Sequence, residues 1–306
     1  MCTILELKTP DWTQIRPRQV LEDVTVVIPT LGRPILEESL NRIASGTAWP
    51  AKVIVVDQSS SSVIAGWLAG LSSFGLNAEH VPSSQRGRAA AVNRGIERVQ
   101  SRFVAVTDDD CFVEPDWLEK MAAKLRENPD AIISGRVESA GDEPVLVIVE
   151  SLKPAVQRRP SLKHDLMCGG NMGVAVDVIQ VVGSLDEDPC LRTAEDGEWS
   201  YRALKAKVPI IYAPDVVVQH FGWRDENQRM IQYKDYARSH GGFYGKYLRQ
   251  GDWFITLRVM IHYLRACRRW IHGLVTGRPE IANYGRAYVI GLLPGIIAGM
   301  RRRKRR

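Results

Sequence analysis

The chain has 306 residues, of which 45% are hydrophobic and 25% are charged, a composition typical of a globular protein with a full core. The length predicts one large domain with an appendage. Five cysteines without a CxxC pair argue against a zinc site built from thiolates and favour a reducing compartment. The first residues include acidic side chains and no long apolar run, so we expect no secretory signal and a cytoplasmic location.

Short apolar strands alternate with helical segments from residue 24 onward. Continuous apolar strands separated by helices predict a largely parallel sheet with helices on both faces. The expected fold class is therefore α/β, a three-layer α/β/α sandwich followed by a helical, basic C-terminal region. The predicted strands cover 24–28, 53–57, 103–107 and 131–135, and the predicted helices cover 36–45, 88–99 and a segment that begins at Pro115.

Polar side chains follow three of these strands. Pro29 and Thr30 close the first strand, Asp57 closes the second, and Asp108 to Asp110 follow the third. Ligands bind beyond the carboxyl ends of the strands in such sheets. We therefore expect these residues to converge on one functional rim.

The three adjacent aspartates are the most informative feature of this rim. Repulsion between neighbouring carboxylates is relieved only by water, protons or a cation. Magnesium ions take oxygen ligands, typically one or two carboxylates together with phosphate oxygens. The alternative is an acidic, solvated turn, which is the usual meaning of a run of charge. The position of the aspartates favours a divalent-cation site that leaves room for a diphosphate.

Two further features carry possible chemistry. Glu195 and Asp196 precede a predicted helix, where a carboxylate acts either as a general base or as a helix cap. His220 follows the predicted strand 216–218. A histidine at a strand end is either a hydrogen-bonded surface residue or a neutral metal ligand.

The sequence after Trp223 differs from the rest. Apolar residues at heptad-like spacing between 254 and 271, with arginines on another face, predict a basic amphipathic helix. The apolar run 287–300 has about fourteen residues, too few to span a bilayer, and residues 301–306 are all basic. We predict attachment to an anionic membrane surface. The alternatives are a helix packed on the main domain beside a disordered tail, or an RNA-binding tail. Because the body lacks an aromatic and basic face, we expect no nucleic-acid partner.

Six segments in order make the chain resemble the family 2 glycosyltransferases, which are inverting enzymes with the GT-A fold. Together they cover about 200 residues, and each is weak alone. They are VTVVIPTLGRP (24–34), VIVVDQSS (53–60), QRGRAAAVNRG (85–95), FVAVTDDDCFVEPDWLE (103–119), GGNMGVAVDVIQVVGSLDED (169–188) and EDGEWSYRALKAKVPIIYAPDVVVQH (195–220).

The resemblance implies a role for each matching position. Asp196 is implied as the catalytic base, and Asp110 with His220 as ligands of Mg²⁺ or Mn²⁺. The loop 169–172 would face the sugar and the acceptor. The implied donor-binding residues are Pro29, Thr30, Asp57, Arg88, Asn93, Asp108 and Asp109.

The chain departs from the family pattern before its third helix. Gln85, Arg88 and Val92 stand where Asn, Gly and Arg are usual, so a phosphate contact could come from Arg86 or Arg88. The QxxRW motif of processive synthases is absent. Together with the expected lack of transmembrane helices, this predicts transfer of a single sugar.

The predicted organisation has three parts. Residues 1–22 form an N-terminal extension, 23–222 a GT-A nucleotide-sugar glycosyltransferase domain, and 223–306 a helical, basic, membrane-associating region. The expected function is metal-dependent, inverting transfer of one sugar from a nucleotide-diphosphate sugar to a saccharide or lipid-linked acceptor. It would serve cell-surface glycan or glycolipid synthesis at the inner face of the cell membrane. The alternatives are a nucleotidyltransferase of related architecture and a catalytically silent, membrane-bound scaffold.

Overall fold

A computed structural model describes residues 12–59, 61–140, 151–163, 165–222 and 224–302. Some predicted features therefore lie outside the described residues. These are residues 1–11 of the N-terminal extension, Ser60 of the second matching segment, Trp223 at the predicted domain boundary, and the basic residues 303–306.

The described residues fall into two compact units. The predicted boundary after residue 222 coincides with one limit of these units. Residues 159–165 and 186–201, which the sequence placed in the first domain, belong structurally to the second unit, because local sequence does not reveal the body on which a segment packs. The functional division into domains stays a prediction. The first unit lies within Met1–Arg158, Leu166–Leu185 and Arg202–Gly222, and the second within Arg159–Asp165, Asp186–Tyr201 and Trp223–Arg306.

Nine strands form one sheet in the described part of the first unit. The first of them is longer than predicted, since it begins before residue 24. The strands are β1 (Gln19–Thr30), β2 (Ala48–Asp57), β3 (Ala78–Pro82), β4 (Phe103–Thr107), β5 (Cys111–Val113), β6 (Ile132–Ala140), β7 (Ala155–Gln157), β8 (Asn171–Ala175) and β9 (Ile210–Phe221).

The sheet is mixed, with the order β3-β2-β1-β4-β8-β6-β9-β5, and β7 also pairs with β9. The predicted parallel arrangement holds from β3 to β4. Beyond β4 the pairing is mixed, because β8 runs antiparallel to both β4 and β6, whereas β6 and β9 are parallel. All five residues of β8 are buried, and a short, fully buried strand gives no sequence sign of its direction. The α/β fold class is confirmed.

Helices accompany this sheet and also make up most of the second unit. Helix α6 continues from the second unit into the first, since the limit between the units falls after Tyr201. The helices are α1 (Leu36–Ala44), α2 (Val63–Ser73), α3 (Arg88–Ile96), α4 (Trp117–Glu127), α5 (Val176–Val182), α6 (Glu195–Lys205), α7 (Glu226–Leu248), α8 (Trp253–Val275) and α9 (Pro279–Arg301).

Asn171 fixes the middle of the sheet, where the strand direction changes. Its side-chain nitrogen donates to the carbonyls of Arg136 and Val216, at 2.9 and 3.0 Å. Its side-chain oxygen accepts a 2.9 Å bond from the indole of Trp117. A side chain at Gly135 would collide with this amide group. A buried polar group is stable only when its hydrogen bonds are made, so Asn171 joins β6, β8, β9 and α4.

Close glycine contacts hold α7 against α9 in the second unit. A Cβ atom on Gly241 would lie 2.8 Å from Cα of Gly295, and one on Gly245 would lie 3.0 Å from Cα of Gly299. The glycines are four residues apart on each helix, which places them on one face and lets the two backbones approach. Around this contact the core is aromatic, with Tyr201, Phe243 and Tyr244 each 1% exposed.

Exposed apolar residues lie on both α8 and α9. On α8 they recur three, four or seven positions apart, which places them in one stripe of the helix. Leu264 is 65% exposed and Ile271 is 60% exposed. The stripe on α8 contains Trp253, Leu257, Met260, Leu264, Ile271 and Leu274, and the exposed residues of α9 include Ile290, Leu293 and Ile297.

One described helix is long and apolar enough to cross a membrane, judged by length and composition alone. It is Pro279–Arg301, with 23 residues and a mean hydropathy of 1.2 in its most apolar window, of which 39% is buried within the protein. The sequence prediction considered only the apolar run 287–300, and this run is part of the longer helix α9. A single helix of this kind is weak support for a membrane span, since the core helix of a soluble protein has the same properties.

We expect Gly241→Ala to destabilise the protein by about 1–3 kcal/mol, because the new methyl group meets the backbone of α9 and overpacks the contact. Gly66→Ala is the matched control, since Gly66 also lies in a helix and a Cβ there would have nothing within 4 Å. It should be neutral or stabilising, as alanine favours a helix over glycine by about 1 kcal/mol. Urea unfolding of both variants checks this, and equal midpoints would contradict the close packing of α7 on α9.

Candidate functional site

The carboxyl ends of β1, β2 and β4 meet at one rim of the sheet. Thr30, the last residue of β1, is paired with Asp57, the last residue of β2. Thr30 Oγ1 donates a 2.6 Å hydrogen bond to Oδ2 of Asp109, which follows β4. Pro29 precedes Thr30 and is buried beside Val56 of β2. The structure thus brings together the three strand ends that the sequence placed at one rim.

Asp109 is an internal carboxylate, only 1% exposed. Besides the bond from Thr30, it accepts bonds from Arg33, through Nε at 3.2 Å and through Nη2. Ser39 Oγ donates to its main-chain carbonyl at 3.0 Å. Burial raises the pKa of Asp109, and the guanidinium of Arg33 opposes that rise. Asp109 therefore ties the β1–α1 loop to the end of β4, and its predicted contact with the donor stays a prediction.

Asp110 faces two nitrogen-bearing side chains. Its Oδ2 lies 3.1 Å from Nη1 of Arg33, and its Oδ1 lies 3.8 Å from Nε2 of His220. The pairing of β5 with β9 brings His220 here, because Cys111 is directly opposite His220 and Phe221 N donates to the Asp110 carbonyl at 2.8 Å. The ligand atoms of Asp110, Cys111 and His220 all lie within 4.8 Å of one another.

Cys111 and His220 differ in their fitness as metal ligands. Burial, followed by the charges of Asp110 and Asp108, raises the pKa of the Cys111 thiol well above its ordinary value. Sulfur is also a soft ligand, whereas Mg²⁺ and Mn²⁺ favour carboxylates and other oxygen ligands. Nδ1 of His220 is buried and has no hydrogen-bond partner among the described residues. Its other ring nitrogen, Nε2, faces the Asp110 carboxylate.

Asp108 is bound to Arg88 at the start of α3. Arg88 Nε donates to Asp108 Oδ1 at 2.8 Å, and both side chains are about one-fifth exposed, at 21% and 23%. The loop that contains Gly169 and Gly170 lies against this pair. A Cβ atom on Gly169 would be 2.8 Å from the Arg88 guanidinium, and one on Gly170 would be 3.0 Å from Asp108 Oδ2. Two glycines therefore let the loop backbone approach the ion pair.

Asp57 is 1% exposed, and both its oxygens have partners. Oδ1 accepts from the backbone nitrogen of Ser59 at 2.8 Å, and Oδ2 lies 3.1 Å from Nε2 of His80 on β3. Asn93 in α3 also has both side-chain atoms hydrogen-bonded. Its Nδ2 donates to the Leu185 carbonyl and its Oδ1 accepts from Leu185 N, each at 2.9 Å. A donor contact by Asn93 would compete with these bonds, and its donor-binding role stays a prediction.

Asp196 lies in the second unit, in the first turn of α6. It is the second residue of the helix, so it does not occupy the N-cap position. Its Oδ1 accepts a 2.7 Å bond from Gly197 N, and its side chain is partly exposed. A negative charge in the first turn is stabilised by the helix dipole.

Two residues beyond Asp196, the fully buried Glu198 anchors the same turn. Its Oε1 accepts 2.6 Å bonds from Lys246 Nζ and Tyr247 Oη of α7. Lys246 also donates to Asp186 at 2.7 Å, and Arg302 donates to the same oxygen of Asp186 at 2.7 Å. Burial opposes ionisation of Asp186, but the bonds from Lys246 and Arg302 lower its pKa to about 2.

Three side chains at these sites were not assigned by sequence reasoning. Arg33 stands inside the quoted segment 24–34, but without a partner it reads as an ordinary loop residue. His80 belongs to β3, which was not predicted because only one of its five residues is fully buried. Cys111 directly follows the aspartates, and this adjacency was the only sequence feature that could have placed it at the site.

Residues 25–182 match the sequence model described as Glycosyl transferase family 2. The chain is 27% identical over 206 residues to the pre-mycofactocin glycosyltransferase of Mycobacterium tuberculosis strain H37Rv, an alignment that covers 65% of this chain and 42% of that protein. The chain thus spans less than half the length of this curated relative.

Solved structures show the same fold. The mannosyltransferase PcManGT from Pyrobaculum calidifontis, in complex with GDP-Man and Mn²⁺, aligns with a TM-score of 0.56 at 16% identity and covers 94% of this chain and 88% of that one. TarS 1–349 of S. aureus, in complex with UDP-GlcNAc, aligns with a TM-score of 0.55 at 14% identity and covers 87% of this chain and 90% of that one. These likenesses establish the GT-A fold.

We expect Asp186→Asn to destabilise the protein by about 1–2 kcal/mol at pH 7, a value reduced for the partial exposure of the group. The folded-state pKa of about 2 lies below the ordinary 3.8, so the stabilisation is complete well above pH 3.8 and is lost as the pH falls toward 2. Urea unfolding at pH 7, 4 and 3 should show the deficit shrinking. The exposed Asp130→Asn is the control, and a deficit that is independent of pH would refute the ion network.

Proposed function

The chain belongs to glycosyl transferase family 2, and from this premise we propose that it transfers one sugar from a nucleotide-diphosphate sugar to an acceptor hydroxyl with inversion. The observation that carries the proposal is the meeting of Thr30, Asp57 and Asp108 to Asp110 at one rim, with His220 beside Asp110. A rim at the carboxyl ends of parallel strands is where α/β sheets bind nucleotides.

The residues present fit a divalent cation. Two ligand atoms that are each about 2.1–2.2 Å from one ion lie up to about 4.3 Å apart, and Asp110 Oδ1 and His220 Nε2 are 3.8 Å apart. Asp110 and His220 would hold Mg²⁺ or Mn²⁺, and Cys111 would not, because sulfur is a soft ligand and these cations prefer oxygen ligands. When bound, the cation supplies positive charge against the departing diphosphate.

The remaining rim residues bind the donor in this proposal. Asp57 and Thr30, with the buried Pro29 behind them, contact the base and the ribose. Asp108 and Arg88 lie nearer the diphosphate, where a guanidinium is well suited to bind phosphate oxygens. The solved relatives hold GDP-Man in one case and UDP-GlcNAc in another, so the fold accommodates more than one nucleotide.

Asp196 is the proposed general base. It takes the proton of the acceptor hydroxyl while that oxygen forms a bond to the anomeric carbon. The bond between that carbon and the diphosphate oxygen breaks on the opposite face, and its electron pair leaves with the nucleotide. The side chain of Asp196 is partly exposed, so an acceptor hydroxyl can reach it, and a general base must come within hydrogen-bond reach of the proton it takes.

The proposed place of action is the inner face of the cell membrane, with a saccharide or lipid-linked acceptor, in cell-surface glycan or glycolipid synthesis. This rests on the exposed apolar stripes of α8 and α9, which lie among arginines such as Arg265, Arg268 and Arg269. Apolar side chains enter the interface of a bilayer, and arginines contact anionic headgroups.

Asp196→Asn should lower sugar transfer by at least about a hundredfold, the contribution typical of a general base, with donor binding unchanged. Product formation with UDP-, GDP- and dTDP-sugars, followed with and without Mn²⁺, measures the transfer, and calorimetry measures donor binding. Asp130→Asn, an exposed change of the same kind, is the control. Full turnover by Asp196→Asn would overturn its role, and a wild-type protein that neither transfers nor hydrolyses any of these donors would point to a silent scaffold.

Sedimentation with vesicles tests the membrane proposal. The wild type should bind vesicles with about 30% anionic lipid and bind neutral vesicles less, and the double variant Leu264→Glu/Ile271→Glu should lose most binding because two carboxylates enter the apolar stripe. Val181→Glu is the matched control, since Val181 is 67% exposed in the first unit. Binding that resists the double variant, salt and alkaline carbonate would indicate that α9 crosses the bilayer. A wild type that stays in the supernatant would refute membrane attachment.

A further inference from the structure

Arg33 sits directly beside the proposed cation site, although no role was assigned to it. Its guanidinium contacts two carboxylates, Asp109 through Nε and Nη2 and Asp110 through Nη1 at 3.1 Å. The arginine side chain is 25% exposed, whereas the side chains of Asp109 and Asp110 are 1% and 6% exposed. A planar fork can bind two carboxylates at once, and Arg33 does so here.

The contact with Asp109 alone would explain a structural arginine. A buried carboxylate requires a partner, and Arg33 together with Thr30 provides one. The contact with Asp110 is additional, and it involves the residue that would ligate the cation. Oδ2 of Asp110 faces Arg33 while Oδ1 faces His220, so the carboxylate is divided between a resident positive charge and the proposed metal site.

We infer that Arg33 is a resident counter-cation whose competition for Asp110 makes cation binding depend on the nucleotide diphosphate. The inference rests on the proposed metal-dependent function. A divalent cation that binds alone must approach a positive guanidinium and share the Asp110 carboxylate with it, which weakens binding. A diphosphate brings negative charge and phosphate oxygens that Arg33 can bind in place of Asp110. The cation and the diphosphate therefore stabilise each other's binding.

This coupling is reciprocal by thermodynamic necessity. If the diphosphate raises the affinity for the cation by some factor, the cation raises the affinity for the diphosphate by the same factor. The position of Arg33 makes it the residue through which this factor acts. A merely structural arginine would change stability and leave the factor unaltered.

Binding of Mn²⁺, followed by the electron paramagnetic resonance of the free ion, tests this. In the wild type, saturating UDP or GDP, whichever binds, should raise the Mn²⁺ affinity at least about tenfold, within the usual range of such couplings. Arg33→Gln should bind Mn²⁺ alone about tenfold more tightly than the wild type, and nucleotide should then change its affinity by less than about threefold. Arg126→Gln is the matched control, because Arg126 forms an exposed ion pair with Asp23 on the same unit, and it should behave as the wild type.

Two further variants keep the outcome decisive. Asp110→Ala should lose Mn²⁺ binding with or without nucleotide. If Arg33→Gln fails to fold because Asp109 is left with an unpaired buried charge, Arg33→Gln/Asp109→Asn removes both charges, and the effect of nucleotide on its Mn²⁺ affinity is then compared with the wild type. If nucleotide raises the Mn²⁺ affinity of an Arg33 variant as much as that of the wild type, the inference is overturned and the proposed cation site is unaffected. A wild type that binds no Mn²⁺ with either nucleotide would overturn the metal-dependent function, and the inference with it.

Discussion

The ion pair between Arg33 and Asp109 is the interaction on which the rim depends. Three adjacent carboxylates follow a buried strand, and their repulsion must be offset. The middle one is buried and held by Arg33 and Thr30, so its charge is neutralised inside the protein. The outer two, Asp108 and Asp110, then have distinct surroundings, one beside Arg88 and the other beside His220. The ion pair of Arg33 with one buried carboxylate thus leaves two separately placed carboxylates on either side of it.

The antiparallel pairing of β5 with β9 adds a histidine to the rim formed by the parallel strands β1, β2 and β4. In a purely parallel sheet the rim would contain only residues from the ends of β1, β2 and β4. Because β9 returns antiparallel to β5, its end brings His220 opposite Cys111, and a backbone bond from Phe221 to Asp110 fixes the register. A register shift of one residue would turn His220 to the other face of the sheet. The ligand set therefore depends on β-pairing between segments more than a hundred residues apart.

Sequence reasoning reached the parts of this site that are local. Val53 to Asp57 and Phe103 to Asp110 each combine a buried strand with its polar end, so the pattern contains both the element and the candidate residues. It failed where partners come from elsewhere. β8 is short and wholly buried, which conceals its direction, and the pairing of Arg33 with Asp109 joins residues 76 positions apart. The apolar run 287–300 did not reveal the full length of α9, because the first turns of the helix, from Pro279 to Arg286, include charged and polar residues.

The turn that carries Asp196 shows why a buried ion pair is retained. Replacing a buried pair by apolar residues is often neutral or stabilising, so stability alone does not account for a fully buried Glu198 bound to Lys246 and Tyr247. An apolar contact is non-directional and would tolerate rotation of the first turn of α6. Two 2.6 Å hydrogen bonds to one carboxylate oxygen are directional and do not tolerate that rotation. The Glu198 contacts thereby hold the helical turn that contains Asp196, and the general base proposed there would need to lie within hydrogen-bond reach of the proton it takes.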